Sequence, residues 1–224
     1  MNKMVIDREE FILDNYDGEI EIIVDKSVLT IKGHVILKEW INDNSNLVLT
    51  INMEDNTELV YERFGVTCNN SRVVINQCNN SKVSFKESFI ANTNSKLKIE
   101  NNITGNNNIS EVIARLTAKE NIEVVVDATL NVLEGTVNNE VKEDLKGLEL
   151  ENSKIVIIPN MLISSEEVMA NHFVSIGNVS EEDLFYLTSK GLSENNARKL
   201  LETGFLISEF NDEELKDKIK EFIK

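Results

Sequence analysis

Proline occurs once, at Pro159, tryptophan once, at Trp40, and histidine and cysteine twice each in 224 residues. With only Cys68 and Cys78 there is no disulfide framework, and the chain must fold on its apolar core alone, for which its length suffices. With only His34 and His172, an acid–base enzyme has few candidates, and no Ser/His/Asp order, glycine-rich phosphate loop or metal-protease helix occurs. Lys and Arg number 23 against 39 Asp and Glu, giving a formal charge of -16 and a pI near 4.6. Nucleic-acid backbones and anionic membranes would repel such a chain. Apolar runs such as residues 155–158 fall far short of the ~20 residues that cross a bilayer, so no membrane span is expected. Residues 1–7 lack the basic, apolar and small-residue succession of a secretory leader, and a cytoplasmic protein is expected.

What the chain does have is asparagine and short alternating segments. From about residue 18 to 158 a polar step rich in Asn, Ser or Asp is followed by a few residues alternating apolar and polar. Ser27-Val28-Leu29-Thr30-Ile31, Ser81-Lys82-Val83-Ser84-Phe85 and Ser95-Lys96-Leu97-Lys98-Ile99 are examples. Each reads as a strand with one buried face. The clearest repeat sets Cys68-Asn69-Asn70-Ser71-Arg72-Val73 against Cys78-Asn79-Asn80-Ser81-Lys82-Val83, ten residues apart. Strands at this spacing suit a β-sandwich, a barrel or a β-solenoid. The Asn-rich steps favour the solenoid, because Asn tolerates the left-handed conformation and its amide can bond along a stack of turns. Hairpin dipeptides are nearly absent apart from Asp17-Gly18. Residues 1–15 read as ambiguous, at most a short capping strand.

After Asn178 the pattern changes to helix. Ser180-Glu181-Glu182-Asp183 is an N-cap with an acidic first turn, and Gly191 is a C-terminal stop. Ser193 opens a second helix, with Ala197, Leu200 and Leu201 on one face and Gly204 as its expected end. Leu215, Ile219 and Phe222 mark a third. The expected division is a mainly β core over 1–178 and an α-helical partner-binding appendage over 179–224, too small to hold a core alone.

The C-terminal third carries a signature. Pro159-Asn160-Met161-Leu162-Ile163, then Ala170-Asn171-His172-Phe173-Val174-Ser175-Ile176-Gly177, then Leu184-Phe185-Tyr186-Leu187-Thr188-Ser189-Lys190-Gly191-Leu192 resembles the SufB/SufD scaffold family of the SUF iron–sulfur cluster assembly system. Ala197, Leu200, Leu201 and Gly204-Phe205-Leu206 continue the match. The resemblance implies a right-handed parallel β-helix with a C-terminal α-helical appendage. It implies a non-catalytic scaffold that docks a SufC-like ATP-binding-cassette ATPase through Leu184, Phe185, Tyr186, Leu187, Gly191, Leu192, Ala197, Leu200 and Leu201. It also implies pairing as a homodimer or with a SufB-like chain, and a transient iron–sulfur cluster at the subunit interface, with none held tightly by the isolated chain. The cysteine that SufB places about fourteen residues before the proline strand is absent near Asp144-Leu145-Lys146, which makes the chain SufD-like. Phe173 and Lys190 replace a small residue and an arginine, and compared with typical members an absent N-terminal helical region and a shortened β-helix are expected.

His172 matches the SufD histidine that faces the subunit interface, and a neutral imidazole ligates iron; without the resemblance it reads as a surface or hydrogen-bonded histidine. His34 reads as structural. Cys68 and Cys78 are candidate thiolate ligands or sulfur acceptors, although free cysteine is more often a small buried apolar residue. Glu140, Glu143 and Asp144, interleaved with Lys142 and Lys146 and with no histidine nearby in sequence, read as a solvated charged face. Two rival functions remain open: a purely structural adaptor of the ATPase complex with no metal contact, and a carbohydrate-active β-helix enzyme, which the low aromatic content of 6% disfavours.

Overall fold

A computed structural model describes residues 3–41, 46–66 and 70–223. The strands run β1 (Lys3–Ile6), β2 (Glu10–Asp14), β3 (Asp17–Ile22), β4 (Lys26–Lys32), β5 (His34–Ile41), β6 (Asn46–Met53), β7 (Glu58–Val66) and β8 (Asn70–Gln77). They continue as β9 (Lys82–Ala91), β10 (Ser95–Ile103), β11 (Ile109–Ala118), β12 (Glu123–Val132), β13 (Val137–Glu149), β14 (Lys154–Ile163) and β15 (Glu167–Asn178). Three helices follow, α1 (Glu181–Ser189), α2 (Glu194–Ile207) and α3 (Glu213–Ile223).

Odd-numbered strands form one parallel sheet and even-numbered strands the other, each in chain order. Every rung therefore contributes one strand to each sheet, and the chain is a two-sided parallel β-solenoid. The ambiguous N-terminus is its first rung. Successive rungs are offset by 24, 27, 31 and 29 residues, measured along corner hydrogen bonds. The ten-residue repeat is thus half a rung: its second copy begins β9 in one sheet, while Arg72 and Val73 of the first lie in β8 of the other.

The corners explain the asparagines. Asn56, Asn80, Asn107 and Asn138 all have φ between 53° and 61°, the left-handed region that asparagine tolerates better than most side chains. Their amides form a ladder: Asn80 Nδ2 donates to Asn56 Oδ1 at 3.2 Å, Asn107 to Asn80 at 3.0 Å and Asn138 to Asn107 at 2.9 Å. A second ladder, Asn52, Asn76, Asn102 and Asn131, runs along the even-numbered sheet. Inside, alternate residues of facing strands fill the lumen with Leu, Ile, Val and Phe.

Helices α2 and α3 cover the outer face of the odd-numbered sheet. Phe64, Val66 and Ile90 point outward and meet Leu206, Phe210, Leu215, Ile219 and Ile223. The expected end of α2 at Gly204 is incorrect: the helix continues to Ile207, because burial of Leu206 outweighs the intrinsic cost of an exposed glycine within it. Ser180 and Ser193 cap α1 and α2 as expected, accepting from the backbone N–H of Asp183 and Asn196. Gly191, at φ 97°, follows α1.

Polar bonds fix this cover. Arg115, buried on the outer face of β11, bonds Glu209 at 2.6 Å and Asp144 of β13 at 3.2 Å. Thr117 donates to Glu202, which also meets Lys119 at 2.7 Å. Glu62 accepts the N–H groups of Asn211 and Asp212 at 2.7 and 2.9 Å, a carboxylate set just ahead of the start of α3.

Candidate functional site

Strands β14 and β15 are the last of their sheets. Among the described residues no strand pairs with their outer edges, so a row of backbone N–H and C=O groups is free to pair with another chain. Leu162, Met169, Phe173 and Ile176 lie exposed there. Pro159 falls in β14, an edge position where its missing N–H breaks no ladder.

Alternation decides which side chains of this end enter the lumen. In β13, Val141, Glu143 and Leu145 point inward, and in β15 their register partners Ala170, His172 and Val174 do the same. Phe173 faces outward, 52% exposed, so His172 and Phe173 do lie on opposite faces. Glu143 is 2% exposed. The expectation of a solvated face therefore fails for Glu143: it has the parity of the core residues beside it, and a histidine stands directly over it one rung away. His172 Nδ1 lies 2.9 Å from Glu143 Oε2. Neither carboxylate oxygen and neither ring nitrogen completes an aligned hydrogen bond within the chain. Burial pushes the Glu143 carboxyl up to about 7 and lowers the His172 imidazole. Both shifts oppose charge, so near neutral pH the histidine is neutral and keeps a lone pair for a ligand.

Cys78 is a free, partly buried thiol at the corner between β8 and β9. It sits three strand spacings from β15, about 14 Å, and does not join His172. Cys68 lies outside the described residues. Among the described residues no group of three His, Cys, Asp or Glu side chains gathers as a metal site. One chain thus offers a nitrogen and a carboxylate at the open end. That nitrogen, with the carboxylate beside it to orient the ring, suits a ferrous ion better than a complete cluster, which usually takes about four ligands and prefers thiolates.

The helical candidates divide into two groups. Leu184 and Ala197 are buried and hold α1 against α2. Phe185 and Tyr186 are 74% and 60% exposed and Leu200 51%, while Leu187, Leu192 and Leu201 are half-buried around them. Lys190, where the family pattern has arginine, places its ammonium 5.5 Å from the centre of the Tyr186 ring. Unlike α2, α1 has no share in the apolar cover of the sheet.

Sequence reasoning missed a buried charge ladder in the lumen. Glu39, Arg63 and Glu87 stack at equivalent inward positions of β5, β7 and β9, with Arg63 Nε 3.6 and 3.3 Å from the two carboxylates. Tyr61 donates to Glu39. Burial raises the Glu39 carboxyl and the Tyr61 phenol, against the pull of Arg63. The signal was present as charged residues at core parity in three consecutive odd strands.

No helix among the described residues is long and apolar enough to cross a membrane. A profile of the family described as SUF system FeS cluster assembly, SufBD core domain, matches residues 63–205. An iron-sulfur cluster assembly SufBD family protein of Methanothermobacter thermautotrophicus is 30% identical over 132 residues, covering 57% of this chain and 31% of the relative. One from Pyrococcus horikoshii is 31% identical over 90 residues, covering 37% and 20%, and one from Mycobacterium leprae 43% identical over 49 residues, covering 21% and 12%. The chain spans about a third of the length of the first of these relatives.

Proposed function

The chain belongs to the SufBD family of the SUF iron–sulfur cluster assembly system, and we propose that it is a non-catalytic scaffold that docks a SufC-like ATP-binding-cassette ATPase through α1 and the start of α2. The observation that carries this reading is the exposure of Phe185, Tyr186 and Leu200 on a helix pair whose other side is already packed. Exposed aromatic side chains such as these are the usual anchors of a protein-binding surface. ATP hydrolysis then belongs to the partner.

The open end supports pairing with a second scaffold chain, either a copy of this one or a SufB-like subunit. Its free strand edges and apolar side chains form a surface that strand addition would cover. Iron–sulfur cargo would be held transiently between the two chains, with His172 contributing from this one. The partner's ATP-driven dimerisation would move two such handles and change exposure of the site between the scaffolds. Arg115 supports that link, because it joins Glu209, just beyond α2, to Asp144, the chain neighbour of Glu143.

A second reading is an adaptor that binds the ATPase and never touches metal. Co-purification with the ATPase tests the docking claim. Phe185→Asp abolishes capture while leaving the circular dichroism spectrum and Tm unchanged; undiminished capture by the folded variant would refute it.

A further inference from the structure

We propose that Glu143 is the positioning residue of the open-end site: its carboxylate holds the His172 ring through Nδ1, so that Nε2 is presented to a ferrous ion lying between two scaffold chains. The inference rests on the reading that metal cargo visits this end, and adds a residue and a role to it. A ligating histidine commonly gives its second ring nitrogen to a carboxylate, which fixes both tautomer and ring orientation. Glu143 is placed for that office, with Oε2 2.9 Å from Nδ1 and the side chain 2% exposed. The two ring nitrogens lie on opposite flanks of an imidazole. A ring that turns Nδ1–H toward Glu143 on β13 turns Nε2 away from β13; like Nδ1 it is buried within this chain, so a ligand reaches it only once the ring turns toward the uncovered edge of β15.

The pair is poised rather than already engaged. Both carboxylate oxygens and both ring nitrogens are buried without an aligned hydrogen bond. A purely structural pair would be expected to close that geometry, because leaving buried polar groups unmatched is destabilising. Hydrogen bonds of functional groups often tighten only when the ligand arrives, and a small turn of the ring suffices here. β15 runs from Glu167 to Asn178 with His172 near its middle. An antiparallel pairing of two such strands about their midpoints brings two His172 rings together, completing a site that one chain cannot.

The test is anaerobic titration of the whole chain, in its purified oligomeric state, with Co2+ as the probe and its visible ligand-field bands as the readout. Wild type binds Co2+ with bands that report nitrogen ligation, and His172→Ala loses them. Glu143→Gln keeps the band positions, because the ligand is unchanged, while binding weakens by ~10–100-fold, the range for loss of an outer-shell carboxylate. Glu143→Asp recovers part of the affinity. Equal affinity in wild type and Glu143→Gln overturns the positioning role alone, and so does a change in band position, which marks Glu143 as a direct ligand. Absence of Co2+ binding in wild type overturns both this inference and the metal-carrying reading beneath it.

Discussion

Replacing Glu143 by glutamine removes a titrating carboxyl while keeping its shape, and the structure sets the size of the response. Burial takes that carboxyl from 4.5 to about 7 in the folded chain. Because the folded-state value is raised, the folded protein holds the proton more tightly. The stability this contributes is fully present below pH 4.5 and is lost as pH rises through about 7. At about 1.4 kcal/mol for each tenfold change in proton affinity, wild type loses about 3 kcal/mol across that window, and Glu143→Gln does not. His172 is shifted the opposite way and loses stability as pH falls, but it is present in both proteins and largely cancels from the difference. Urea unfolding of wild type and Glu143→Gln, with chelator present, at pH 5 and pH 8 reads the effect. The stability of the variant relative to wild type should rise by about 2.5 kcal/mol between the two pH values, since part of the loss precedes pH 5. A difference that does not change with pH would show that the carboxyl is not held inside the solenoid, and the inward parity assigned to β13 would be wrong.

Phe210, buried between the helices and the outer face of the sheet, should cost about 3–5 kcal/mol when truncated to alanine, read as a lowered urea midpoint. Asn107→Ala puts an ordinary side chain at φ 58° and removes two rungs of the corner ladder, for about 1–2 kcal/mol; Asn107→Gly should cost less, and the order of the two Tm values checks it. Phe173→Asp, on the exposed face of β15, should weaken self-association at least tenfold by analytical ultracentrifugation without altering the monomer's Tm. An unchanged dimerisation constant would mean that this face is not the pairing surface.

Local rules made much of this fold legible. Alternation located the strands, the Asn steps located the corners through their tolerance of positive φ, and serine caps with acidic first turns located α1 and α2. The rung length was not legible, because two half-rungs of similar sequence imitate a ten-residue repeat, and only the hydrogen-bond register separates them. Glu143 was misread because Glu140, Glu143 and Asp144 were taken together as one charged run. Parity separates them: Glu143 shares its face with Val141 and Leu145, Asp144 does not. Its meeting with His172 spans a rung and depends on register that no local pattern encodes. For the same reason the buried bonds of Arg115 and Glu62 to the helical segment were invisible, as were the inward turns of Leu184 and Ala197 within the docking segment.

The scaffold account stands most directly on whether two of these open ends hold iron–sulfur cargo between them. Anaerobic reconstitution of the chain, alone and with its ATPase, with ferrous iron and sulfide measures it through visible absorption and iron content per dimer. The account predicts a labile cluster in wild type that His172→Ala fails to assemble. Wild-type protein that stays colourless both alone and in the complex would contradict it and leave the metal-free adaptor in its place.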